Sequence, residues 1–294
     1  MASPSWLVIG HGSVGSALVR RLVRAGLEPV VYDPSPRVRV AGREHLTTLG
    51  GQARVFDRVI SCVAPPAAPI ALEDARPVLT SSTRYLDWNT IAPAAKQALA
   101  AAAPCPVIDV ALLDTLDEES GSPSIAISGT HAAEVAPDLV DLGFHVDVVG
   151  EAAGDAALLK FARSIFMKTL EALVVEFEAA TALLPGRAVV TASIERNLGP
   201  TFRDFARMLL ETDRIHAARR ADELGGAVDA HEDAGLSVPL ASAAVKVLRD
   251  AAAAWQGPDA PPVGAGAAAL ATYLSGHLGA RRTARAGEPV DARR

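Results

Sequence analysis

Residues 7–33 read LVIGHGSVGSALVRRLVRAGLEPVVYD. An apolar run, Leu7–Ile9, enters the turn Gly10-His11-Gly12-Ser13-Val14-Gly15. A helical pattern follows, and a second apolar run, Pro29–Tyr32, stops at Asp33. A G-x-G-x-x-G string on its own says little. Set between a strand and a helix, with an acid closing the next strand, it reads as the phosphate-binding turn of a dinucleotide domain.

Each position has a physical task. Gly10 permits the tight turn out of the strand, Gly12 lets a pyrophosphate approach the backbone, and Gly15 lets the helix pack close to the sheet. The amides of Ser13, Val14 and Gly15 open the helix, so its positive end faces the phosphates. His11 fills a variable position of the turn and is given no chemistry. Asp33 can accept hydrogen bonds from the adenosine ribose hydroxyls, and its charge repels a 2′-phosphate. That favours NAD over NADP, although Arg37 and Arg39 downstream offer a 2′-phosphate two cations.

The bulk composition narrows the class. A chain of 294 residues is expected to form about two domains. Half of it is hydrophobic, enough for real cores. A formal charge of −6 and the lack of a basic stripe with interleaved aromatics argue against nucleic acid. No apolar run is long enough to span a bilayer, and no charged segment precedes an apolar one at the N-terminus, so a soluble, cytoplasmic protein is expected. Cys62 and Cys105 make no disulfide framework, and the seven histidines lack ligand spacing, so no metal site is expected.

The first half alternates strand-like and helix-like runs. Strands are expected at Trp6–Ile9, Pro29–Tyr32, Arg58–Cys62, Arg84–Asp87, Val107–Asp109, Ser124–Ser128 and His145–Val149. Helices are expected at Val14–Ala25, Ile70–Val78, Pro93–Ala102 and Ala132–Leu142. This is the pattern of an α/β Rossmann domain, a doubly wound and mostly parallel sheet, over residues 1–150. From Gly150 onward only helical periodicity remains, which predicts an all-α domain over 151–281. Its breaks are expected at Pro185-Gly186, Gly199-Pro200, Gly225-Gly226 and Gly235, with a loop over Gly257–Gly266. Residues 282–294 read as a disordered tail.

The segment DAALLKFARSIFMKTLEALVVEFEAATALL, 155–184, is helical and apolar on more than one stripe. At full length it would run about 45 Å, long enough to be a spine between domains. So much apolar surface in the helical domain predicts a homodimer. Lys160 sits near its start among Ala157, Leu158, Leu159 and Phe161. The chain holds four lysines against 24 arginines, so lysines in an apolar helix invite a chemical reason. Lysine can release a proton near neutral pH when its pKa is lowered, and arginine cannot. Lys160 is therefore a candidate general acid/base. Ser164 and Lys168 follow at i+4 and i+8, on the same helix face, where they could bind a carboxylate.

At this point the chain resembles the β-hydroxyacid dehydrogenase superfamily, which includes 3-hydroxyisobutyrate and 6-phosphogluconate dehydrogenases. Four stretches carry the likeness: GHGSVG (10–15), ISCVAPP (60–66), YLDWNTIAP (85–93) and the G-x5-K of Gly154–Lys160. The runs KFARSIFMKTLEALVVE and HAARRADE look closer to a little-characterised 6-phosphogluconate dehydrogenase-like branch. The resemblance implies that Lys160 is the catalytic lysine. It also implies that Cys62, Val63 and Ala64 lie along the cofactor, with Asn89 and Thr90 near the nicotinamide.

Two departures stand out. The family's substrate loop reads D-x-P-V-S-G-G, where this chain has Asp109-Val110-Ala111-Leu112-Leu113-Asp114-Thr115. The asparagine four residues after the lysine is Ser164 here. Asp114 would suit an amine or imine, while Asp117, Glu118 and Glu119 read as a solvated loop. His216, Arg219, Arg220 and Glu223 share one helix face, as either a cationic clamp for a substrate anion or a set of local ion pairs. Cys62 reads as a packing residue, since no base stands beside it.

The implied reaction is hydride transfer between a nicotinamide and a small hydroxy-acid or keto-type substrate, with Lys160 moving the proton. The alternatives are imine-reductase-like C=N reduction on the same scaffold, and a dinucleotide-binding dimer without turnover.

Overall fold

The structure is a computed structural model. It describes residues 3–35, 38, 40, 42–51, 54–116, 121–199, 201–233, 235 and 237–278. Arg37, Arg39, Asp117, Glu118, Glu119 and the expected tail lie outside those residues. The chain divides into two compact units, 1–160 and 161–294. The division falls within a helix, ten residues beyond the 150/151 boundary expected from the change of periodicity.

The first unit is a sheet with helices on both faces. Its strands are β1 (Trp6–Ile9), β2 (Val30–Tyr32), β3 (His45–Leu46), β4 (Arg58–Ser61), β5 (Arg84–Asp87), β6 (Val107–Leu112), β7 (Ser124–Ser128) and β8 (His145–Gly150). The order is β3-β2-β1-β4-β5-β6-β7-β8, parallel except for the β6–β7 pair. The helices are α1 (Ser13–Arg24), α2 (Ala68–Ala75), α3 (Pro93–Ala102) and α4 (Ala132–Asp141).

Strand periodicity sorts the core into two layers. In β1, Trp6 and Val8 face one side with Leu18 and Leu22 of α1 and Val135 and Leu139 of α4. Leu7 and Ile9 face the other with Ala68, Ala71 and Leu72 of α2 and Leu99 of α3. Alternate side chains of one strand thus feed two cores, and the sheet is doubly wound. The order turns back between β1 and β4, and loops leaving these two strands flank the crevice where α/β sheets bind ligands.

The strip β3 is a strand that periodicity does not expose, because two residues carry no period. The segment expected to end at Asp109 runs on to Leu112, held by antiparallel pairing of Val110 with Ile127 and Leu112 with Ile125.

Helix α5 (Asp155–Thr181) starts in the first unit and continues in the second, which also holds α6 (Arg187–Leu198), α7 (Phe202–Asp233), α8 (Pro239–Trp255) and α9 (Ala267–Leu278). The expected break at Gly225-Gly226 is overturned, since both glycines lie inside the 32-residue α7. Each glycine costs a helix about 1 kcal/mol. Here Leu224 and Val228 pack on Ala241, Ala244, Val245 and Leu248 of α8, and that burial outweighs the propensity cost. Within the described residues no helix is long and apolar enough to cross a membrane.

The second unit buries a polar cluster. Glu171 and Asp213 are 2% and 0% exposed. Arg220 bonds Glu171, and its guanidinium also donates to Thr212 Oγ1 at 3.0 Å. Trp255 Nε1 donates to Asp213 Oδ2 at 2.8 Å. Burial pushes Glu171 up to about 8 against the pull of Arg220, and Asp213 adds to the rise. The folded chain therefore holds a proton that the unfolded chain releases from about pH 4.5. The stabilisation is complete below that value and is lost as pH climbs through about 8. We expect Tm to fall by about 5 °C or more from pH 5 to pH 9, with Glu171→Gln flattening the slope. An equally steep slope in the variant would rule out Glu171 as its source.

Candidate active site

The glycine turn has the geometry its sequence implies. Gly10 has φ +89°, and a Cβ there would lie 2.6 Å from the Cys62 carbonyl oxygen. A Cβ on Gly15 would lie 2.0 Å from Gly10 O and 3.0 Å from Cys62 Sγ. Gly12 differs: a Cβ there would meet nothing within 4 Å, so its bare face looks onto open space. Gly12 is the N-cap of α1, and the cap is made by no side chain. The opening amides of Ser13, Val14 and Gly15 thus supply a positive end with an uncluttered approach.

Asp33 closes β2 and clamps the turn. Its Oδ2 accepts from the His11 amide and its Oδ1 from the Ser35 amide, both at 2.9 Å. Burial lowers the pKa of His11 against the opposing pull of Asp33. A cleft of about 310 Å³ runs past Gly10, Gly12, Asp33, Cys62, Val63 and Ala64, and is closed on its apolar side by Ala67, Ile70 and Ala71. Ile70 is 62% exposed, a bare apolar shelf beside an acid. Open space at Gly12 beside a helix end fits phosphate, the carboxylate fits ribose, and the apolar shelf fits adenine.

The thiol of Cys62 donates to the carbonyls of Ile9 and Gly10 at 3.3 Å. Burial pushes its pKa up to about 12, with Asp33 and Asp87 adding to the rise. A thiol held protonated is a packing group, as its surroundings in sequence suggest.

Asn89, 4% exposed, faces inward. Its Oδ1 accepts from the Val63 amide at 2.7 Å, and its Nδ2 donates to Ser61 Oγ at 3.0 Å and to Asp87. Asn89 braces the loop that lines the cleft. Thr90, the next residue, is exposed, and its Oγ1 accepts a hydrogen bond from Lys160 Nζ at 2.9 Å. The structure therefore joins two residues seventy positions apart that the sequence singled out for different reasons.

Beneath that pair lies an arrangement the sequence reading missed. Lys96 is 1% exposed, and Asp87 and Asp109 are fully buried. Lys96 Nζ lies 3.0 Å from Asp87 Oδ2 and 2.9 Å from Asp109 Oδ1, and donates to the Asp87 carbonyl at 2.8 Å. Asp109 Oδ2 accepts from the amides of Gly154 (3.1 Å) and Ala157 (2.8 Å), and Ser128 Oγ accepts from Ala156. Asp109 thus caps α5, the helix that carries Lys160. Burial raises the pKa of Asp87 against the pull of Lys96. Lys96 was recognisable in principle: it is one of four lysines, and the apolar strands on either side of it in the chain carry acids, Asp87 at the end of β5 and Asp109 within β6.

Asp114 accepts from the Ser124 amide at 2.9 Å, across the β6–β7 connection. Lys168, in the second unit, lies 3.0 Å from Glu223 and donates to Ser164 at 3.4 Å. Burial raises Glu223, but Lys168 and Arg219 outweigh it and hold the carboxyl below its ordinary value. Arg219 pairs with Glu223 and Arg220 with Glu171. Both guanidiniums have partners within the helical unit. Burial lowers His216, which has Arg219 and Arg220 nearby.

Solved structures place this architecture. A conserved hypothetical protein from Sinorhizobium meliloti 1021 superposes with a TM-score of 0.76 at 26% identity, over 93% of this chain and 96% of that one. A conserved protein of unknown function, described as structurally similar to 3-hydroxyacid dehydrogenases, matches with a TM-score of 0.71 at 26% identity, over 83% and 95%. The chain has the 3-hydroxyacid dehydrogenase fold. It resembles the superfamily that its four motifs pointed to.

A 3-hydroxyisobutyrate dehydrogenase from Salmonella typhimurium shares this fold, with a TM-score of 0.69 at 20% identity over 92% and 99%. So does an imine reductase from Myxococcus stipitatus solved with NAD+, with a TM-score of 0.56 at 20% identity over 93% and 100%. At these identities the likeness is one of fold. Residues 187–251 match a domain of unknown function, DUF1932. No curated protein matches the chain.

Proposed function

We propose that this chain is a nicotinamide-dependent oxidoreductase. It would move a hydride between NAD, or NADP, and a small hydroxy-acid or keto-type substrate. The observation that carries the reading is the Lys160–Thr90 hydrogen bond. It puts an amine next to the loop whose preceding residue, Asn89, braces the wall of a cleft shaped for a dinucleotide. The fold, shared with proteins named as hydroxyacid dehydrogenases and imine reductases, supports the class of chemistry.

The turn 10–15 would take the pyrophosphate, Asp33 the ribose hydroxyls, and Ala67, Ile70 and Ala71 the adenine. A bound nicotinamide supplies or accepts the hydride. Lys160 manages the proton. Its ammonium gives one to the oxygen of a carbonyl under reduction, and its amine takes one from a hydroxyl under oxidation. Thr90 orients the amine through the bond it accepts. Ser164 and Lys168 are proposed as carboxylate contacts and Asp114 as a polar contact. Lys168, Arg219 and Arg220 are each paired within the helical unit, so a substrate anion would have to displace Glu223 or Glu171 to reach them.

The test is a panel of 2- and 3-keto acids, the matching hydroxy acids and cyclic imines, each with NADH, NADPH, NAD+ and NADP+, read at 340 nm. Turnover of acids with NAD(H) supports the reading. Turnover of imines alone would move the bond from C=O to C=N. Saturable NADH binding with no turnover would leave a binding module.

The proposed assembly is a homodimer through the helical unit. An apolar groove of about 540 Å³ there is lined by Ile165, Phe166, Leu173, Leu240 and Val247. Phe166 and Leu240 are 67% and 73% exposed, more apolar surface than a monomer keeps without reason. Sedimentation should give twice the mass of 30.4 kDa, and the double variant Phe166→Glu, Leu240→Glu should sediment as a monomer. A wild-type monomer at 50 μM would refute the assembly.

A further inference from the structure

We propose that buried Lys96 is a positioning residue for Lys160, acting as a bolt between the loop that carries Thr90 and the first turn of α5. This deepens the proposed site and rests on that reading for its catalytic meaning. Its geometry and its test do not.

Two chains of contacts meet at one ammonium. On one side Lys96 Nζ holds Asp87 through its carbonyl at 2.8 Å and its Oδ2 at 3.0 Å. Asp87 Oδ1 in turn accepts from the Asn89 backbone amide at 3.2 Å and from the Asn89 side chain. Asn89 leads directly into Thr90. On the other side Lys96 Nζ lies 2.9 Å from Asp109 Oδ1, and Asp109 Oδ2 takes the Gly154 and Ala157 amides. From there α5 runs to Lys160. The Lys160–Thr90 bond closes a ring, Lys96–Asp87–Asn89–Thr90–Lys160–α5–Asp109–Lys96.

The position of Gly154 tightens this ring. Its φ is +103°, and a Cβ there would lie 2.9 Å from the Pro93 carbonyl oxygen. Pro93 opens α3, which carries Lys96 one turn later. The starts of α3 and α5 are therefore pressed together as well as bonded through Asp109.

Charge explains why the bolt is a lysine. Two carboxylates in a dry interior repel, and a single cation between them cannot neutralise both. The partial positive charge at the start of α5, directed at Asp109, supplies part of the remainder. A neutral side chain at 96 would leave the carboxylates facing each other. One would take up a proton or move, and the Thr90 loop or the first turn of α5 would move with it.

Lys160 can be read without any substrate. Among the four lysines Lys96 is buried, and Lys246 has a 63% exposed side chain and serves as an internal standard. Trace labelling with acetic anhydride at pH 8, followed by peptide mass spectrometry, gives the Lys160/Lys246 reactivity ratio. Asp109→Asn keeps an oxygen for the two α5 amides and replaces the charged oxygen facing Lys96 with an uncharged N–H donor. We expect the ratio to rise at least threefold in Asp109→Asn and in Lys96→Met. An unchanged ratio in folded variants overturns the inference while leaving the oxidoreductase reading intact. Failure of the activity panel with a raised ratio does the reverse.

Should both variants fail to fold, hydrogen exchange in the unmodified protein decides. The amides of Gly154 and Ala157 should be among the slowest in the first unit. Exchange at the rate of exposed amides would overturn the proposal.

Discussion

Replacing Lys160 with alanine is expected to lower kcat about 10²- to 10⁴-fold while NADH affinity changes less than about threefold. The asymmetry follows from where the contacts are. The proposed nucleotide contacts are the turn 10–15, Asp33 and the apolar shelf, whereas Lys160 reaches Thr90. Removing the amine takes away a proton donor without touching a phosphate, ribose or adenine contact. Lys160→Arg should fail to restore turnover, because a guanidinium keeps the charge but releases no proton near neutrality. Turnover is measured on the panel substrate with the highest kcat/KM, and binding by NADH fluorescence. Recovery by arginine would make Lys160 an electrostatic anchor, and an unchanged kcat in the alanine variant would remove it from the reaction.

How much of this was legible in the sequence depends on how local the cause is. The turn and its acid were legible because a strand, three glycines, a helix and Asp33 follow one another and each has its own steric reason. Strand limits such as Trp6–Ile9, Arg84–Asp87 and Ser124–Ser128 coincide with the structure, since apolar runs between turn residues delimit them. The two-residue β3 was not legible, because it exists only by pairing with β2. Gly225 and Gly226 misled for a related reason: helix propensity is a local quantity, and what keeps α7 continuous is α8.

The site divides in the same way. Lysine scarcity drew attention to Lys160 and Lys168 in an apolar helix, and the same scarcity applied to Lys96. Its setting, PAAKQALAAA, reads as an ordinary surface helix with a solvated lysine. Nothing in that period says that Asp87, at the end of β5, and Asp109, within β6, stand side by side on neighbouring parallel strands beneath it. That fact is one of sheet order, with β5 beside β6, and appears only when the register is known. Asn89 shows the converse. The family resemblance implied a place near the nicotinamide, and its neighbours in space, invisible in the sequence, show it bracing Val63.

The sharpest separation of fold from function lies within the glycine turn. In Gly15→Ala the new Cβ would sit 2.0 Å from Gly10 O, a backbone atom that cannot swing away. Alanine gains about 1 kcal/mol over glycine in a helix, but overpacking against fixed backbone costs about 3 kcal/mol, so the clash wins. Tm should fall by several degrees, and NADH binding should weaken because α1 is displaced from the turn. In Gly12→Ala the Cβ enters open space, and its φ of −76° suits any residue. Tm should stay within about 2 °C, while the NADH dissociation constant rises at least about tenfold, the equivalent of about 1.4 kcal/mol. The methyl group would occupy the space through which a pyrophosphate meets the α1 amides. A Gly12→Ala protein that binds NADH as tightly as wild type would mean that no phosphate approaches this backbone, and the dinucleotide reading of the turn would fall with it.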